Sequence, residues 1–271
     1  MNIYIIHLPK DKERYAFQTW QCRRLGLTPT WIDATSLQDI SEIERATHRH
    51  RWERPLRDVE IACYLSHYRL WSRIVQENKP AVILEDDALL SDRFADIIRI
   101  AKTLNGIDFI NLETVGRKKI LRNKPIGLDN DHAIYPLLLD RNGNGGYILY
   151  PSGAAKLIDH HERYGAALAD AHIRRSNLNA YQLEPASVIQ ADQCHRFGLH
   201  PPFAAVSNIG TQTKPSSHGL QRWRFFLRRL RSQLRQAWQH TCLLYGRCTK
   251  RYINVDPKAF DHTQEYADAT R

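Results

Sequence analysis

The sequence predicts an α/β domain built on a mostly parallel central sheet, followed by a basic amphipathic C-terminal helix. Two observations in residues 1–112 carry the first part of that prediction. Short apolar strands alternate with helix-patterned segments, the order expected of strand–helix–strand units. One fully apolar strand also runs directly into three carboxylates, Glu85-Asp86-Asp87. In parallel α/β sheets, ligands bind at the carboxyl ends of the strands.

Residues 3–8 read as a buried strand, residues 10–25 as a helix, and residues 29–33 as a second short strand. Between residues 58 and 76, Ile61, Tyr64, Leu65, Tyr68, Leu70 and Trp71 recur at roughly helical spacing. Residues 80–84 form the apolar strand before the carboxylates, and a helix over 94–104 leads to a strand over 107–112. Residues 114–132 read as a polar, mobile loop, with an apolar stretch at 133–139. Gly143-Asn144-Gly145-Gly146 is a turn, 147–150 a strand, and Ser152 the N-cap of a helix to about 161. Residues 181–190 close the pattern as a last strand. This gives one α/β domain over 1–210, and a linker plus tail over 211–271, with Pro, Ser and Gly marking 211–219.

The 271 residues are 42% hydrophobic and 25% charged, which excludes a disordered or low-complexity chain. The opening residues do not read as a signal peptide, and no window is apolar enough to span a membrane. Five cysteines at irregular spacing, without a CxxC, fit reduced thiols in a cytosolic protein. The net charge of +10 is local. Residues 193–255 contain eleven Lys and Arg and no acid, so the rest of the chain sets 28 bases against 29 acids. An anionic partner is therefore expected at the C-terminal part.

Three adjacent carboxylates repel one another unless water or a cation relieves them. Alternation along an extended chain sends Glu85 and Asp87 to one side and Asp86 to the other. Hard oxygen ligands of this kind suit Mg²⁺ or Mn²⁺ shared with nucleotide phosphates. A solvated acidic turn capping the next helix is the plainer alternative.

The wider set of motifs carries a resemblance. Ile6-His7-Leu8-Pro9 precedes Glu13-Arg14 and Asp33-Ala34, and Glu60-Ile61-Ala62-Cys63-Tyr64-Leu65-Ser66-His67 follows. After the Leu84-Glu85-Asp86-Asp87 strand come Asn111-Leu112-Glu113-Thr114, Tyr135-Pro136-Leu137-Leu138, Gly145-Gly146-Tyr147-Ile148-Leu149, Ala169-Asp170 and Gln182-Leu183-x-Pro185. In this order and spacing, over about residues 1–210, the chain resembles glycosyltransferase family 25, and within it the bacterial lipooligosaccharide β-1,4-galactosyltransferases. The resemblance implies a GT-A-like, Rossmann-type nucleotide-sugar-binding fold and a divalent metal, commonly Mn²⁺. It also implies inverting transfer of galactose from UDP-galactose to a terminal sugar of a lipid-linked oligosaccharide.

Matched position by position, Asp87 with Glu85 would hold the metal, and Asp86 would contact ribose or donor sugar. Asp170 matches the family's Pro-Val-Asp element as base, although Leu168-Ala169-Asp170 here lacks the proline; a helix cap is the alternative. Glu113 is the rival base at the end of its strand. His7 stands where the family more often has Asn, and would contact the nucleotide. Arg14 would reach phosphate or form a surface salt bridge, and Asp33 would hold uridine or ribose or cap a turn. Ser66 and His67 would serve the donor site or simply satisfy the core, and His195 would complete the metal shell.

Beyond the linker, Trp223, Phe226, Leu227, Leu230, Leu234, Ala237 and Trp238 form an apolar stripe, with Arg224, Arg228, Arg231 and Arg235 along a neighbouring flank. That pattern suits a helix lying in an anionic lipid surface. The alternative is an apolar face docked on the domain with arginines in water. No nucleic-acid motif appears, and no nucleic-acid partner is expected. A peripheral place on the cytoplasmic face of a bacterial inner membrane follows as the expectation. Two other classes compete with this reading. A sugar nucleotidyltransferase is disfavoured because Leu8-Pro9-Lys10-Asp11-Lys12 lacks a phosphate-binding glycine loop. The other is a non-catalytic anionic-surface or nucleic-acid binding module carried by the arginine helix.

Overall fold

The computed structural model describes residues 1–140, 143–203 and 219–269. Most of the expected linker, residues 211–218, lies outside the described residues.

In chain order the first half contains β1 (Asn2–His7), α1 (Lys12–Arg24), β2 (Thr30–Asp33), α2 (Glu42–Arg49), α3 (Asp58–Glu77), β3 (Ala81–Glu85), β4 (Ala88–Leu90), α4 (Phe94–Ala101) and β5 (Phe109–Asn111). Next come β6 (Lys119–Arg122), β7 (Ile126–Gly127), β8 (Ala133–Leu139), β9 (Gly146–Leu149), α5 (Pro151–Tyr164), α6 (Ala169–Arg175), β10 (Ala180–Glu184) and β11 (Val188–Gln190). A 3-10 turn at Ala191–Phe197, α7 (Leu220–Thr241), β12 (Cys248–Arg251) and α8 (Asp261–Ala269) complete the described chain.

One large sheet runs β12-β6-β8-β10-β5-β9-β3-β1-β2, with β7 added beside β8, and β4 pairs separately with β11. The sheet is mixed, which corrects the expectation of a mostly parallel one. Among the described strand pairings, β1 with β2, β1 with β3, and β5 with β10 run parallel, and an isolated bridge joins Glu113 to Val188 in parallel. β9 lies between β3 and β5 and runs antiparallel to both. An apolar segment such as Gly146-Tyr147-Ile148-Leu149 shows that it is buried; it carries no information about chain direction.

Alternation along the strands builds a core on each face of the sheet. Tyr4, Ile6 and Ile83 point to a cluster with Ile61, Leu70, Trp71 and Ile74 of α3 and Leu157 of α5. Ile3, Ile5, Val82 and Leu84 point to the other side, onto Phe94, Ile97, Ile98 and Ala101 of α4. The α4 residues fall at i, i+3, i+4 and i+7, one helical stripe. Each fully buried Ile or Phe contributes about 1.5–3 kcal/mol relative to exposure.

Several local readings change. The polar stretch 114–132 contains β6, whose Ile120 and Leu121 are buried and whose Lys119 is buried against Asp140 at 2.6 Å. Pro185 follows β10, and the expected last strand is two strands, β10 and β11, in different sheets. Ser152 does not cap α5; its hydroxyl donates to Asp108 Oδ1 at 2.7 Å, and Tyr150 precedes a Pro151 start. The C-terminal segment rejoins the body: β12 pairs with β6, and Phe260 packs with Phe17 and Phe203.

α7 meets the body through Phe225, which is buried, and through polar groups. Arg228 Nη1 donates to the carbonyls of His50 and Trp52 at 2.5 and 3.0 Å, Arg235 Nη1 to Arg175 O at 3.0 Å, and Gln239 Nε2 to Leu138 O at 2.9 Å. Trp223, Phe226, Leu227, Leu230, Leu234 and Trp238 are exposed. The helix therefore docks by its arginine flank and turns its apolar stripe outward, the reverse of the apolar-docking alternative.

Candidate active site

Parallel pairing brings the carboxyl ends of β1, β2 and β3 to one edge, with His7 beside Asp33 and Ile6 beside Glu85 in register. There His7 Nε2 lies 3.1 Å from Asp33 Oδ1. The His7 ring sits edge-on to Trp31, whose ring centroid is 4.3 Å from that of Tyr15. Tyr15 and Trp31 thus form an aromatic ledge at the strand ends that the sequence reading missed. A β2 residue and an α1 residue reveal no pairing until β2 is laid beside β1.

The chain turns at Asp86 and Asp87 between β3 and β4, and the three carboxylates have separate environments. Asp86 is buried and faces α1: Oδ1 accepts from Arg14 Nη1 at 2.8 Å and Oδ2 from the Leu8 amide at 3.2 Å. Burial raises its pKa above the ordinary value, and Arg14 opposes that rise. Arg14 is mostly buried and also lies 3.3 Å from Asp11, so it is a structural ion-pair partner of the acidic turn.

Asp87 is different. Its Oδ1 is buried with no hydrogen-bond partner, and Arg14 is 3.9 Å from its Oδ2. Burial first, then the charges of Glu85, Asp86 and Asp192, push its pKa up to about 7, with Arg14 opposing. An unpartnered carboxylate oxygen under like-charge pressure fits a hard divalent cation.

Glu85 is ringed by donors. Asn144 Nδ2 donates to Oε1 at 3.0 Å, Gln190 Nε2 to Oε2 at 3.1 Å, and His67 Nε2 lies 3.3 Å from Oε1. His67 Nδ1 is 2.9 Å from the Tyr147 hydroxyl, which also accepts from Trp71 Nε1 at 2.9 Å. The His67 side chain is thereby fixed on both nitrogens. Ser66 bonds to the backbone instead. Its hydroxyl accepts from the Thr35 amide at 2.8 Å and donates to Ala62 O at 3.0 Å, tying α3 to the segment after β2.

Among the described residues, Cys63, His67 and Glu85 are the group of metal-ligand type whose donor atoms lie within 4.8 Å of one another. Burial, with the charges of Glu85, Asp170 and Glu60 adding to it, raises the Cys63 thiol pKa well above its ordinary value. Glu85 belongs to that group and Asp87 does not; carboxylate oxygens such as theirs are the ligand type that suits Mn²⁺ or Mg²⁺. His195 is exposed on the 3-10 turn and does not join such a group; Asp192 of the same turn is the residue whose charge reaches Asp87.

Asp170 opens α6 and lines a cavity of about 150 Å³ with Asn111, Asp140, Gly143 and Arg174. Its Oδ1 accepts from the Ala171 amide at 2.7 Å. Burial raises its pKa; Arg174 opposes the rise, and Asp140 and Glu85 add to it. Glu113 is sealed beneath the glycine turn: Oε2 accepts from the Gly145 amide at 3.1 Å, and Oε1 is buried without a partner. A Cβ at Gly145 would come 2.7 Å from Gln190 Nε2 and 2.8 Å from Glu113 Oε2, so a larger residue there would displace the side chains that pack under the turn. Burial drives the Glu113 pKa well above the carboxylate range. Asn144, Gln190, Asp192 and Tyr147 border the same cluster; Asn144 and Tyr147 stood in the glycine turn and the strand motif after it, whereas Gln190 and Asp192 carried no local signal.

No helix among the described residues is long and apolar enough to cross a membrane. Residues 1–172 match the model of glycosyltransferase family 25 (LPS biosynthesis protein). A Haemophilus influenzae protein described as a glycosyltransferase is 24% identical over 242 residues, 85% of this chain and 82% of that protein. The lipooligosaccharide biosynthesis protein lic2B of Haemophilus influenzae is 26% identical over 155 residues, 52% of this chain and 57% of its own length. Among solved structures, a Drosophila beta-1,4-galactosyltransferase 7 mutant in complex with manganese, UDP-Gal and xylobiose matches 81% of this chain and 83% of that one. Its identity of 9% and TM-score of 0.36 are too low to bear on the chemistry. The family match covers well over half of the chain, on the same strands and helix that build the crevice, and the chain belongs to glycosyltransferase family 25.

Proposed function

We propose that the chain is a metal-dependent, inverting β-1,4-galactosyltransferase that moves galactose from UDP-galactose to a terminal sugar of a lipooligosaccharide or lipopolysaccharide acceptor. One observation carries the reading beyond family membership: Asp87 Oδ1 is buried, unpartnered and pressed by Glu85 and Asp192 at the carboxyl end of β3. Asp87 and Glu85 would hold Mn²⁺ or Mg²⁺, which when bound neutralises the charge that grows on the departing diphosphate.

The chain's own groups supply the rest. Tyr15, Trp31, His7 and Asp33 offer a face and two polar edges to a uridine. Asn144, Gln190 and His67 fix the Glu85 carboxylate in one orientation, so little rearrangement is needed as charge develops. Asp170, with its raised pKa and its place in a cavity, is the base that takes the proton of the acceptor hydroxyl. Glu113, closed under Gly145, positions the turn that carries Asn144.

The outward apolar stripe of α7, with Arg224 and Arg231 on one flank and Arg222 and Arg229 on the other, suits the surface of an anionic bilayer. This supports a peripheral enzyme on the inner face of a bacterial inner membrane, held where a lipid-linked acceptor is concentrated. The test is a thermal-shift and product-formation panel of UDP-galactose, UDP-glucose and other nucleotide sugars, each with and without Mn²⁺. Mn²⁺-dependent stabilisation and transfer with UDP-galactose are expected; stabilisation by no nucleotide sugar in either condition would overturn the reading.

A further inference from the structure

A second and larger cavity lies between α7 and the body, with a volume of about 710 Å³. α7 contributes Arg228, Arg231 and Arg235, and the body Arg51, Arg175, Lys156 and Arg163, against a single carboxylate, Asp159. Lys156 is already paired with Asp108 at 2.5 Å and Arg163 with Asp159 at 2.7 Å. The other five arginines have no carboxylate within 4.0 Å among the described residues.

What holds four of them, Arg51, Arg175, Arg228 and Arg235, in place is backbone and aromatic surface. Arg228 and Arg235 donate to carbonyls, Arg51 Nε to Thr47 O at 3.3 Å, and the Arg175 guanidinium lies 4.8 Å from the Trp52 ring centroid. Those contacts fix position and leave the charge unbalanced. The field is visible in its neighbours: burial, then Arg175 and Arg235, hold the His160 pKa down to about 4. The Arg175 pKa is lowered by burial and by Arg235, Arg174 and Arg228, with Glu53 opposing. An arginine cannot relieve such repulsion by losing its proton.

We propose that this cavity is a binding site for a phosphate group. Guanidinium forks match phosphate oxygens in pairs, and the volume is that of a small-molecule site. Asn177 and Arg235 line both this cavity and the smaller one that contains Asp170. A phosphate held here therefore adjoins whatever occupies the Asp170 cavity. On the transferase reading above, on which this last step alone rests, it belongs to the acceptor, either as a phosphorylated sugar or as the headgroup phosphate of its lipid.

The experiment is calorimetric titration of the full-length protein with inorganic pyrophosphate, in EDTA and phosphate-free buffer, where the carboxylate crevice has no cation to hold the probe. The double variant Arg231→Gln/Arg235→Gln is compared with Arg222→Gln/Arg229→Gln, which removes the same charge from the opposite flank of the helix. The first pair should weaken pyrophosphate binding by roughly tenfold or more and the second by less than about twofold, as loss of charge-assisted hydrogen bonds implies. Equal binding by wild type and both variants, or no binding at all, would overturn the site whatever the enzyme transfers. A second arm uses phosphatidylglycerol–phosphatidylcholine vesicles. If the first pair also binds these worse than the second pair does, the phosphate is a lipid headgroup's. If the two pairs bind vesicles equally while pyrophosphate binding is lost, it is that of a soluble phosphorylated sugar.

Discussion

The crevice at the end of β3 and the cavity beneath α7 are opposites in charge and also in how each tolerates that charge. The crevice gathers Glu85, Asp86, Asp87 and Asp192 around one close guanidinium, Arg14. A carboxylate under such pressure can take a proton, and Asp87, at about 7, is poised to do so. The cavity gathers arginines, which have no such outlet and are held in position by carbonyls and an aromatic ring. The acidic site is therefore adjustable by pH and by cations, whereas the basic one keeps its charge at any pH at which the protein is folded. The first is built for chemistry in which charge changes, the second for holding a charge that stays.

Substitutions should separate the two regions. Asp87→Ala should lower transfer by about 10³-fold or more and remove Mn²⁺-dependent UDP binding, since it takes away a ligand and a charge stabiliser together. Wild-type turnover in that variant would erase the contrast. Asp170→Asn should lower kcat by roughly 10²- to 10³-fold, with the donor KM nearly unchanged, as loss of a general base predicts. Unaltered kcat there, with loss in Glu113→Gln, would move the base beneath the glycine turn.

On the α7 side the effects should fall on binding. Trp223→Ser with Trp238→Ser should reduce partitioning onto anionic vesicles by about tenfold while Mn²⁺-dependent UDP binding stays as in wild type. Vesicle binding that survives this change would place the membrane contact elsewhere on the protein.

The smallest effect is on stability. Because the folded Asp87 pKa of about 7 lies above the ordinary 3.8, the native protein holds a proton that the unfolded chain releases. That contribution is complete below pH ~4 and is lost as the pH rises through 7. Metal-free Tm should accordingly fall by roughly 5–10 °C more between pH 5 and 8 in wild type than in Asp87→Asn. Mn²⁺ should remove the difference. Parallel curves without metal would mean that Asp87 is not under the pressure described.

The alternation of strands and helices, the helix spanning Ile61 to Trp71, the apolar strand before Glu85 and the carboxylates themselves were all legible in the chain, because each is a local pattern of burial. So was the α7 stripe. Strand direction was not: Gly146–Leu149 is equally apolar whichever way it runs, and only the path through β6 and β8 sends it back between β3 and β5. Nor could the sequence say that the charge of Asp192 would bear on Asp87, that Gln190 and Asn144 would hold Glu85, or which flank of α7 would face inward. Periodicity along one segment reports how much of it is buried and on which side. Which groups meet across segments depends on register and on the packing of distant elements, and that was decided only when the sheet closed.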